Sequence, residues 1–233
     1  MPTPLQVVLL DVNETLSDLE PLRARFAAVG APEHLLDTWF AATLRDGVAL
    51  AVGDAAAPFS EVGAAVLRTL LAPLPGRAAP LEDAVQQVLA GLGTLGVHPD
   101  VPAGLRVLAD GGVRVVPFTN GALSSAQGLL ERAGLADLVE RCLSAEDAGR
   151  WKPHPRSYAY ALGQCGVEPG QAALVAVHPW DVDGARRSGL VTGWVDRGDT
   201  PYPDVFLPAD VSGADLPAVA RALLADESGQ ARP

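Results

Sequence analysis

A short apolar segment that runs directly into acidic and polar residues is the feature that most restricts how this chain can fold. Val7–Leu10 is wholly apolar, and Asp-Val-Asn-Glu-Thr follows it. An apolar run of this length between polar residues is typical of a buried parallel strand. Because α/β sheets bind ligands beyond the carboxyl ends of such strands, Asp11 lies where a ligand would meet it. The alternative is that Asp11 only caps the next helix, and position alone does not decide between the two.

Hydrophobic periodicity divides the rest of the chain into two parts. Between residues 17 and 98, apolar side chains recur every three or four residues, which predicts helices and no strand. Beyond residue 98, short apolar runs alternate with helical segments, which is typical of a parallel sheet. Strands are expected at 113–118, 138–144, 172–177 and 191–195, and helices at 123–133, 158–165, 183–189 and 216–225.

These patterns together predict an α/β fold, a doubly wound parallel (Rossmann-like) sheet with an inserted all-helical cap. The expected core domain comprises residues 1–16 and 99–233, and the expected cap domain comprises residues 17–98. Residues 226–233 are expected to form a frayed tail.

Polar side chains follow the predicted strands at the points where the strands end. Because the carboxyl ends of parallel strands meet at one edge of a sheet, these side chains are expected to converge. The segments are Asp11–Thr15, Thr119–Gly121, a loop with Trp151-Lys152-Pro153, and His178–Asp183.

Taken together, these segments resemble the haloacid dehalogenase superfamily of aspartate-nucleophile hydrolases, and most closely its type II 2-haloacid dehalogenases. The resemblance covers essentially the whole chain. It implies a hydrolase that removes halide from short 2-halo acids through an aspartyl ester on Asp11, which water then hydrolyses. The segments that carry it are DVNETL at 11–16, TNG at 119–121, WKPHPRSY at 151–158 and HPWDVDGA at 178–185.

The resemblance also assigns roles around the nucleophile. Lys152 is expected to keep Asp11 ionised, since a cation within about 4–6 Å lowers a carboxyl pKa by roughly 1–3 units. Asp181 is expected to support the lysine, although it is also placed to cap a helix. The hydroxyls of Thr15 and Thr119 are expected to orient Asp11 and bound anions, with helix capping as the alternative.

The remaining expected contacts are with the substrate. Asn120 is expected to hold the substrate carboxylate or the leaving halide, and Tyr158 is expected to lie near the site unless it is a packed helix residue. Trp39, Phe40 and Trp180 are expected to line an apolar pocket between cap and core, with plain packing as the alternative.

The chain departs from the dehalogenase pattern at three positions. Phe40 follows Trp39 where the family has an arginine that grips the substrate carboxylate, and Ala176 stands where it has a serine. His178 stands where it has an asparagine. A neutral imidazole is a good general base near pH 7, so His178 is a candidate for activating the hydrolytic water. The alternative is a hydrogen-bonded histidine that packs beside Trp180.

A phosphatase of the same superfamily is a second hypothesis, and two residues count against it. Asn13 replaces the aspartate that protonates the leaving group, and Ala176 replaces an acidic magnesium ligand. Asn13 is therefore expected to contact the substrate instead. No metal or cofactor is expected, although weak Mg²⁺ binding at Asp11 and Asp181 is left open. A catalytically weakened binding protein with this fold is the third hypothesis.

Composition limits the class of partner. A net charge of −11 disfavours nucleic acid, so the expected partner is a small molecule. The chain shows neither a secretion signal nor an apolar run of membrane length, so a cytoplasmic protein without a membrane partner is expected. Cys142 and Cys165 lack metal-site spacing and are expected to be apolar filler. A homodimer is possible by analogy with the family.

Overall fold

A six-stranded, wholly parallel sheet forms the centre of the computed structural model, which describes residues 4–76, 78–198 and 200–227. The strand order is β3-β2-β1-β4-β5-β6, which is that of a doubly wound sheet and confirms the predicted fold class. The strands are β1 (Val7–Leu10), β2 (Arg114–Thr119), β3 (Leu143–Ser144), β4 (Ala172–Ala176), β5 (Val191–Val195) and β6 (Val211–Gly213).

Strand β1 lies in the middle of this sheet and is buried on both faces. Val8 and Leu10 belong to one hydrophobic cluster and Val7 and Leu9 to another, because successive strand side chains point to opposite faces. The backbone N–H of Asp11 still donates to the Val175 carbonyl oxygen at 3.0 Å. The chain therefore leaves the sheet with the Asp11 side chain at its carboxyl edge.

Helices cover both faces of the sheet, and four more form the cap. The cap helices have their own hydrophobic cluster around Trp39 and Leu67. No helix within the described ranges is both long and apolar enough to cross a membrane. The cap helices are α1 (Leu22–Ala28), α2 (Leu35–Val52), α3 (Phe59–Leu71) and α4 (Leu81–Ala90), and the core helices are α5 (Val101–Asp110), α6 (Leu123–Arg132), α7 (Pro155–Cys165), α8 (Pro179–Arg187) and α9 (Leu216–Glu227).

Two linkers and one tryptophan connect the cap with the core. The linkers run side by side, with the Asp18 N–H donating to the Gly96 carbonyl oxygen at 3.0 Å and the His98 N–H donating to the Leu16 carbonyl oxygen at 2.9 Å. Trp151, which precedes the expected catalytic lysine, belongs to the cap cluster although it lies in a core loop. The cap is thus packed directly against the loop that carries Lys152.

Several elements differ from the predictions. Helix α8 begins at Pro179, four residues before the predicted start, because proline is well accepted in the first turn of a helix. Helix α5 and strand β6 were not predicted, since β6 has only three residues and shows no clear periodicity. Helix α9 continues to Glu227, so residues 226 and 227 are helical and do not belong to the expected frayed tail. Residues 228–233 of that tail lie outside the described part.

Candidate active site

The polar side chains expected at the strand ends do meet at one edge of the sheet. Asp11 follows β1, Thr119 ends β2 and His178 follows β4, while Lys152 enters from the loop before α7. Asp11, Thr119 and Lys152 are buried. Helix α8 carries Asp181 to the same place in its first turn, with His178 rather than Asp181 at the N-cap.

The centre of the site is a buried ammonium group that has three acceptors. Nζ of Lys152 donates to Asp11 Oδ1 at 2.8 Å, to Asp181 Oδ2 at 2.7 Å and to the Phe118 carbonyl oxygen at 2.9 Å. The Lys152 and Asp181 side chains are fully buried. An ammonium group has three N–H donors, so every donor of Lys152 is used within the protein.

Burial and neighbouring charges have opposite effects on the pKa values of Asp11 and Lys152. Burial alone would raise the pKa of Asp11, but Lys152, His178 and the hydrogen bonds outweigh it and lower that pKa. Burial would lower the pKa of Lys152, but the two carboxylates raise it. Burial and the neighbouring Asp11 raise the pKa of Asp181. The protein therefore favours an ionised Asp11 beside a protonated Lys152.

Thr15 fixes the second oxygen of the nucleophile. Its hydroxyl donates to Asp11 Oδ2 at 2.6 Å and accepts from the Val177 N–H at 3.1 Å. The accepted bond leaves the hydroxyl hydrogen free to point at Asp11. Both oxygens of Asp11 thus have a donor, and the carboxylate is held in one orientation.

Tyr158 lies behind Asp181 and not in the open part of the site. Its hydroxyl donates to Asp181 Oδ1 at 2.6 Å, and the side chain is fully buried. Burial and Asp181 raise the pKa of the phenol well above its ordinary value, so the hydroxyl remains a donor. We therefore assign Tyr158 to positioning Asp181 rather than to touching a substrate.

Thr119 and Asn120 stabilise the loops around the lysine. The Thr119 hydroxyl accepts from the Gly121 N–H at 2.9 Å. The Asn120 side chain accepts from the Lys152 N–H at 2.8 Å and donates to the Lys152 carbonyl oxygen at 3.1 Å. Asn120 thereby anchors the backbone of Lys152, which leaves one amide N–H for the expected contact with an anion.

His178 lies beside the nucleophile and contacts two aromatic side chains. Its ring stacks on Trp180 with centroids 5.1 Å apart, and its centroid lies 6.0 Å from that of the Phe40 ring, which is tilted by 32°. Its Nε2 lies 3.1 Å from the Asn13 carbonyl oxygen, which can only accept. Nε2 therefore carries a hydrogen and has no free lone pair, so a base role for His178 requires its other ring nitrogen.

The two cap residues of the expected pocket lie in different places. Trp39 is fully buried inside the cap, where its indole N–H donates to the Gly63 carbonyl oxygen at 2.9 Å. Trp39 therefore cannot line a pocket between cap and core, and its role is the plain packing that was the alternative expectation. Phe40 is at the boundary between cap and core, where it contacts His178.

A small cavity of about 80 Å³ lies between cap and core beside the nucleophile loop. Asn13 and Thr119 line it from the core and Phe59 from the cap, together with the hydroxyl-bearing Ser60 and Ser125. The placement of Asn13 and Thr119 is consistent with the substrate contacts expected of them. The size and lining suit a short, mostly apolar group.

Sequence reasoning missed three residues of the site. Trp151 stacks on Phe59 with centroids 5.5 Å apart, and its indole N–H donates to the Ala57 carbonyl oxygen at 3.0 Å. Glu14 has a carboxylate oxygen 3.6 Å from His178 Nε2. The position of Trp151 directly before the single candidate lysine was a signal that it supports this loop. The sequence offered no comparable signal for Glu14 or Phe59.

The acidic residues do not form a set that fits a metal ion well. Both oxygens of Asp11 and both oxygens of Asp181 already accept a hydrogen bond from Lys152, Thr15 or Tyr158. Within the described ranges, no group of three or more metal-ligating side chains was found. Mg²⁺ prefers several free oxygen ligands, so these residues fit it poorly.

Comparison with known proteins assigns the family. The family model of haloacid dehalogenase-like hydrolases matches residues 5–189, so the chain belongs to this family. It is 32% identical to (S)-2-haloacid dehalogenase 4A of Burkholderia cepacia over 114 residues, 49% of each chain. It is 36% identical to a phosphoserine phosphatase of Thermus thermophilus over 121 residues, 52% of this chain and 48% of that one. The match therefore spans about half the length of these relatives.

The whole fold is also similar to solved structures. A crystal structure of a dehalogenase superposes with a TM-score of 0.83 at 26% identity, covering 91% of this chain and 94% of that one. The similarity therefore includes both the sheet and the helical cap.

Proposed function

We propose that this protein is a hydrolytic dehalogenase of short 2-halo acids that uses Asp11 as its nucleophile. The observation that carries the proposal is the fixed orientation of the Asp11 carboxylate, whose two oxygens accept hydrogen bonds from Lys152 and Thr15. An ionised carboxylate in a fixed orientation is the group that an in-line displacement at carbon requires. The activity of relatives such as the Burkholderia cepacia enzyme supports the choice of substrate.

The reaction consists of two displacements. One oxygen of Asp11 attacks the carbon that bears the halogen, the carbon–halogen bond breaks, and halide leaves with the bonding electrons. Water then attacks the carbonyl carbon of the ester, which releases the hydroxy acid and a proton and restores Asp11. The oxygen outside the ester keeps its donor, from Lys152 or Thr15, which stabilises the negative charge that develops on it.

The domains have separate roles in this proposal. Residues 1–16 and 99–233 form the core that carries the nucleophile, and residues 17–98 form a cap that covers it. The small cavity between them accepts the short alkyl group and limits the size of the substrate. Closure by the cap keeps bulk water away from the charged centre.

Phosphate-ester hydrolysis is the second candidate, because the Thermus thermophilus relative is a phosphoserine phosphatase. Asn13 has no proton to give a leaving group, since an amide is not a general acid. Ala176 offers no oxygen to Mg²⁺, and Asp11 and Asp181 are already hydrogen-bonded. These residues make the phosphatase activity the weaker candidate and favour a reaction without metal.

The cellular setting belongs to the same proposal. The net charge of −11 argues against nucleic acid as a partner and favours a small molecule. We propose a cytoplasmic enzyme, and a homodimer by analogy with the family. Sedimentation of the purified protein tests the proposed homodimer.

Halide release is the test of the function. We expect the wild type to release chloride from chloroacetate and 2-chloropropionate with EDTA present, and Asp11→Asn to release none. Asp137→Asn is the matched control, since that residue is exposed on the surface. Activity in Asp11→Asn would contradict the nucleophile. Release of phosphate from phosphate esters with Mg²⁺, but of no halide, would favour the second candidate, and tight binding without any turnover would favour a non-catalytic binder.

A further inference from the structure

The backbone of the nucleophile loop, residues 11–17, contains a strained residue. Glu14 has a φ angle of 63°, which lies in the left-handed region that favours glycine. A residue with a Cβ atom is unfavourable in this region and persists only where the surrounding structure holds it. The loop turns tightly, since the Leu16 N–H donates to the Val12 carbonyl oxygen at 2.9 Å. Contacts from other parts of the chain are therefore needed to keep this loop in one conformation.

Two basic side chains from outside the loop bind its carbonyl oxygens. Arg197 donates from Nη2 to the Thr15 carbonyl oxygen at 2.8 Å. Nε2 of His98 lies 2.9 Å from the Glu14 carbonyl oxygen, which can only accept, so this nitrogen carries the hydrogen. The two acceptors belong to the left-handed residue and to the residue after it. These two bonds thus hold the strained part of the loop.

Arg197 is itself anchored in the core by an ion pair. Its Nη1 donates to Asp100 Oδ1 at 2.5 Å, and Asp100 Oδ2 accepts from the Leu216 N–H of helix α9 at 2.8 Å. The side chains of Arg197 and Asp100 are 21% and 16% exposed, so solvent screens the pair only in part. The guanidinium therefore has a fixed position from which its second terminal nitrogen binds Thr15.

A shift of the backbone at Thr15 would reach the nucleophile directly. The Thr15 hydroxyl donates to Asp11 Oδ2 at 2.6 Å, and χ1 of a β-branched residue takes few values. The hydroxyl therefore follows its backbone, and displacement of that backbone would carry it away from the carboxylate. Misplacement of a reacting group by about 1 Å can lower a rate roughly a hundred-fold. The support of Thr15 is thus also support of the attacking group.

We propose that Arg197 and His98 are positioning residues, which keep the Thr15 hydroxyl on Asp11 and so keep the nucleophile aligned for attack. This inference rests on the proposed dehalogenase function. Both side chains bind backbone atoms of the nucleophile loop, so they act on the displacement step and not on affinity for the halo acid. His98 and Asp100 belong to the second linker between cap and core, and this linker is thereby part of the support of the nucleophile.

The first test separates kcat from KM for halide release from 2-chloropropionate. We expect Arg197→Met to lower kcat about ten-fold or more and to change KM under about two-fold, because alignment is lost and binding is not. Arg186→Met is the matched control, since Arg186 likewise binds a carboxylate, that of Asp210, and a backbone carbonyl oxygen, that of Pro208. The control is expected to lose similar stability in urea unfolding and to keep its kcat. An equal fall of kcat in both variants, or a change confined to KM, would overturn the proposal.

A double-mutant cycle tests whether Arg197 acts through Thr15. Thr15→Val removes the hydroxyl and nearly keeps the shape of the side chain, so a residue that orients this hydroxyl then has little left to support. We expect Arg197→Met to lower kcat under about two-fold in the Thr15→Val background, against about ten-fold or more in the wild type. Losses that multiply independently would overturn the proposal, because Arg197 would then act by another route.

His98 provides a second, independent variant. His98→Leu removes the donor to the Glu14 carbonyl oxygen and is expected to lower kcat about five-fold, as for loss of one hydrogen bond, with KM unchanged. His98→Gln keeps an N–H donor and is expected to retain most of kcat. His34→Leu is the matched control, because His34 is an exposed histidine, and it is expected to change neither constant. Equal losses of kcat in His98→Leu and His98→Gln would contradict a role for this hydrogen bond.

A crystal structure of Arg197→Met tests the inference without turnover. The Thr15 hydroxyl is expected to lie beyond hydrogen-bond distance of Asp11, and an unchanged bond between them would overturn the proposal. Absence of halide release in the wild type would overturn the proposed function instead, so the two failures are distinguishable.

Discussion

The carboxylate of Asp11 and the ammonium of Lys152 lie 2.8 Å apart, although 141 residues separate them in the chain. Asp181 shares the same ammonium, so two buried carboxylates depend on one buried cation. Breaking such a pair costs more than its formation contributes, because the charge that remains is buried and uncompensated. This dependence gives the site its chemistry and also makes it sensitive to substitution.

Replacement of Lys152 by methionine is expected to destabilise the protein by about 3–5 kcal/mol and to abolish halide release, because Asp11 and Asp181 then face each other without a cation. Urea unfolding followed by circular dichroism measures the first effect. Arg68→Met is the control, since it removes an exposed ion pair with Glu82, and it should cost much less. Equal losses in the two variants would contradict the model of a central cation.

The titration of Lys152 is directly observable, because it is the only lysine among the 233 residues. Protein labelled with ¹⁵N-lysine should give a single side-chain signal. We expect its midpoint to lie above the ordinary value of 10.5, since Asp11 and Asp181 raise the pKa of Lys152 despite its burial. Because this folded-state pKa is raised, the stabilisation is complete below the ordinary value and is lost as pH rises through the folded one.

Asp11→Asn provides the internal comparison for that titration. It removes one of the two carboxylates, so the midpoint for Lys152 should move downward from that of the wild type. An unchanged midpoint would show that Asp181 alone sets the charge of the lysine.

The hydroxyl of Tyr158 supports Asp181 through a 2.6 Å hydrogen bond. Tyr158→Phe is expected to cost about 1.5–3 kcal/mol, as for a bond to a charged group, and to raise the pKa of Asp181 further. Thermal or urea unfolding measures the loss. Tyr160→Phe on the same helix is the matched control, since its hydroxyl lies 3.4 Å from Asp147 near the surface, and it should be almost neutral. A larger loss in the control would contradict the assignment.

Packing between cap and core can be tested at Gly47. A Cβ atom there would collide with the ring of Trp151, whereas a Cβ atom at Gly163 of α7 would meet no neighbour. Gly47→Ala is expected to cost about 1–3 kcal/mol through overpacking and to lower kcat, because Trp151 carries the Lys152 loop. Gly163→Ala is expected to stabilise by up to about 1 kcal/mol, as alanine does inside a helix. Urea unfolding and halide release measure these effects. A Gly47→Ala variant with unchanged stability and kcat would contradict the proposal that Trp151 connects cap packing with the Lys152 loop.

Local pattern was sufficient for most of the architecture. The apolar run of β1, the helical spacing in α2, α3 and α4, and the alternation beyond residue 98 each report burial of one stretch of chain. These patterns did not predict α5, whose first turns contain Pro102 and Gly104, or β6, which has only three residues. The sequence also predicted that Asp11, Lys152 and Asp181 lie close together, because the carboxyl ends of all parallel strands lie at one edge of the sheet.

The details of the site did not follow from local pattern. Trp39 and Phe40 are adjacent and both buried. Trp39 nevertheless packs inside the cap, whereas Phe40 contacts His178 of the core. Asn120 was expected to hold an anion, but most of its amide is bonded to the Lys152 backbone.

The strand that ends at Asp11, the sheet edge it belongs to and the helical nature of the cap are properties of short segments, and the amino-acid order alone is enough to infer them. The partner of each polar atom is a different matter, as the Tyr158 hydroxyl on Asp181, the Trp151 ring against Gly47 and the Nε2–H of His178 illustrate. Such contacts join segments that are far apart in the chain. They depend on how close-packed side chains share the available space, which no periodicity in one segment records.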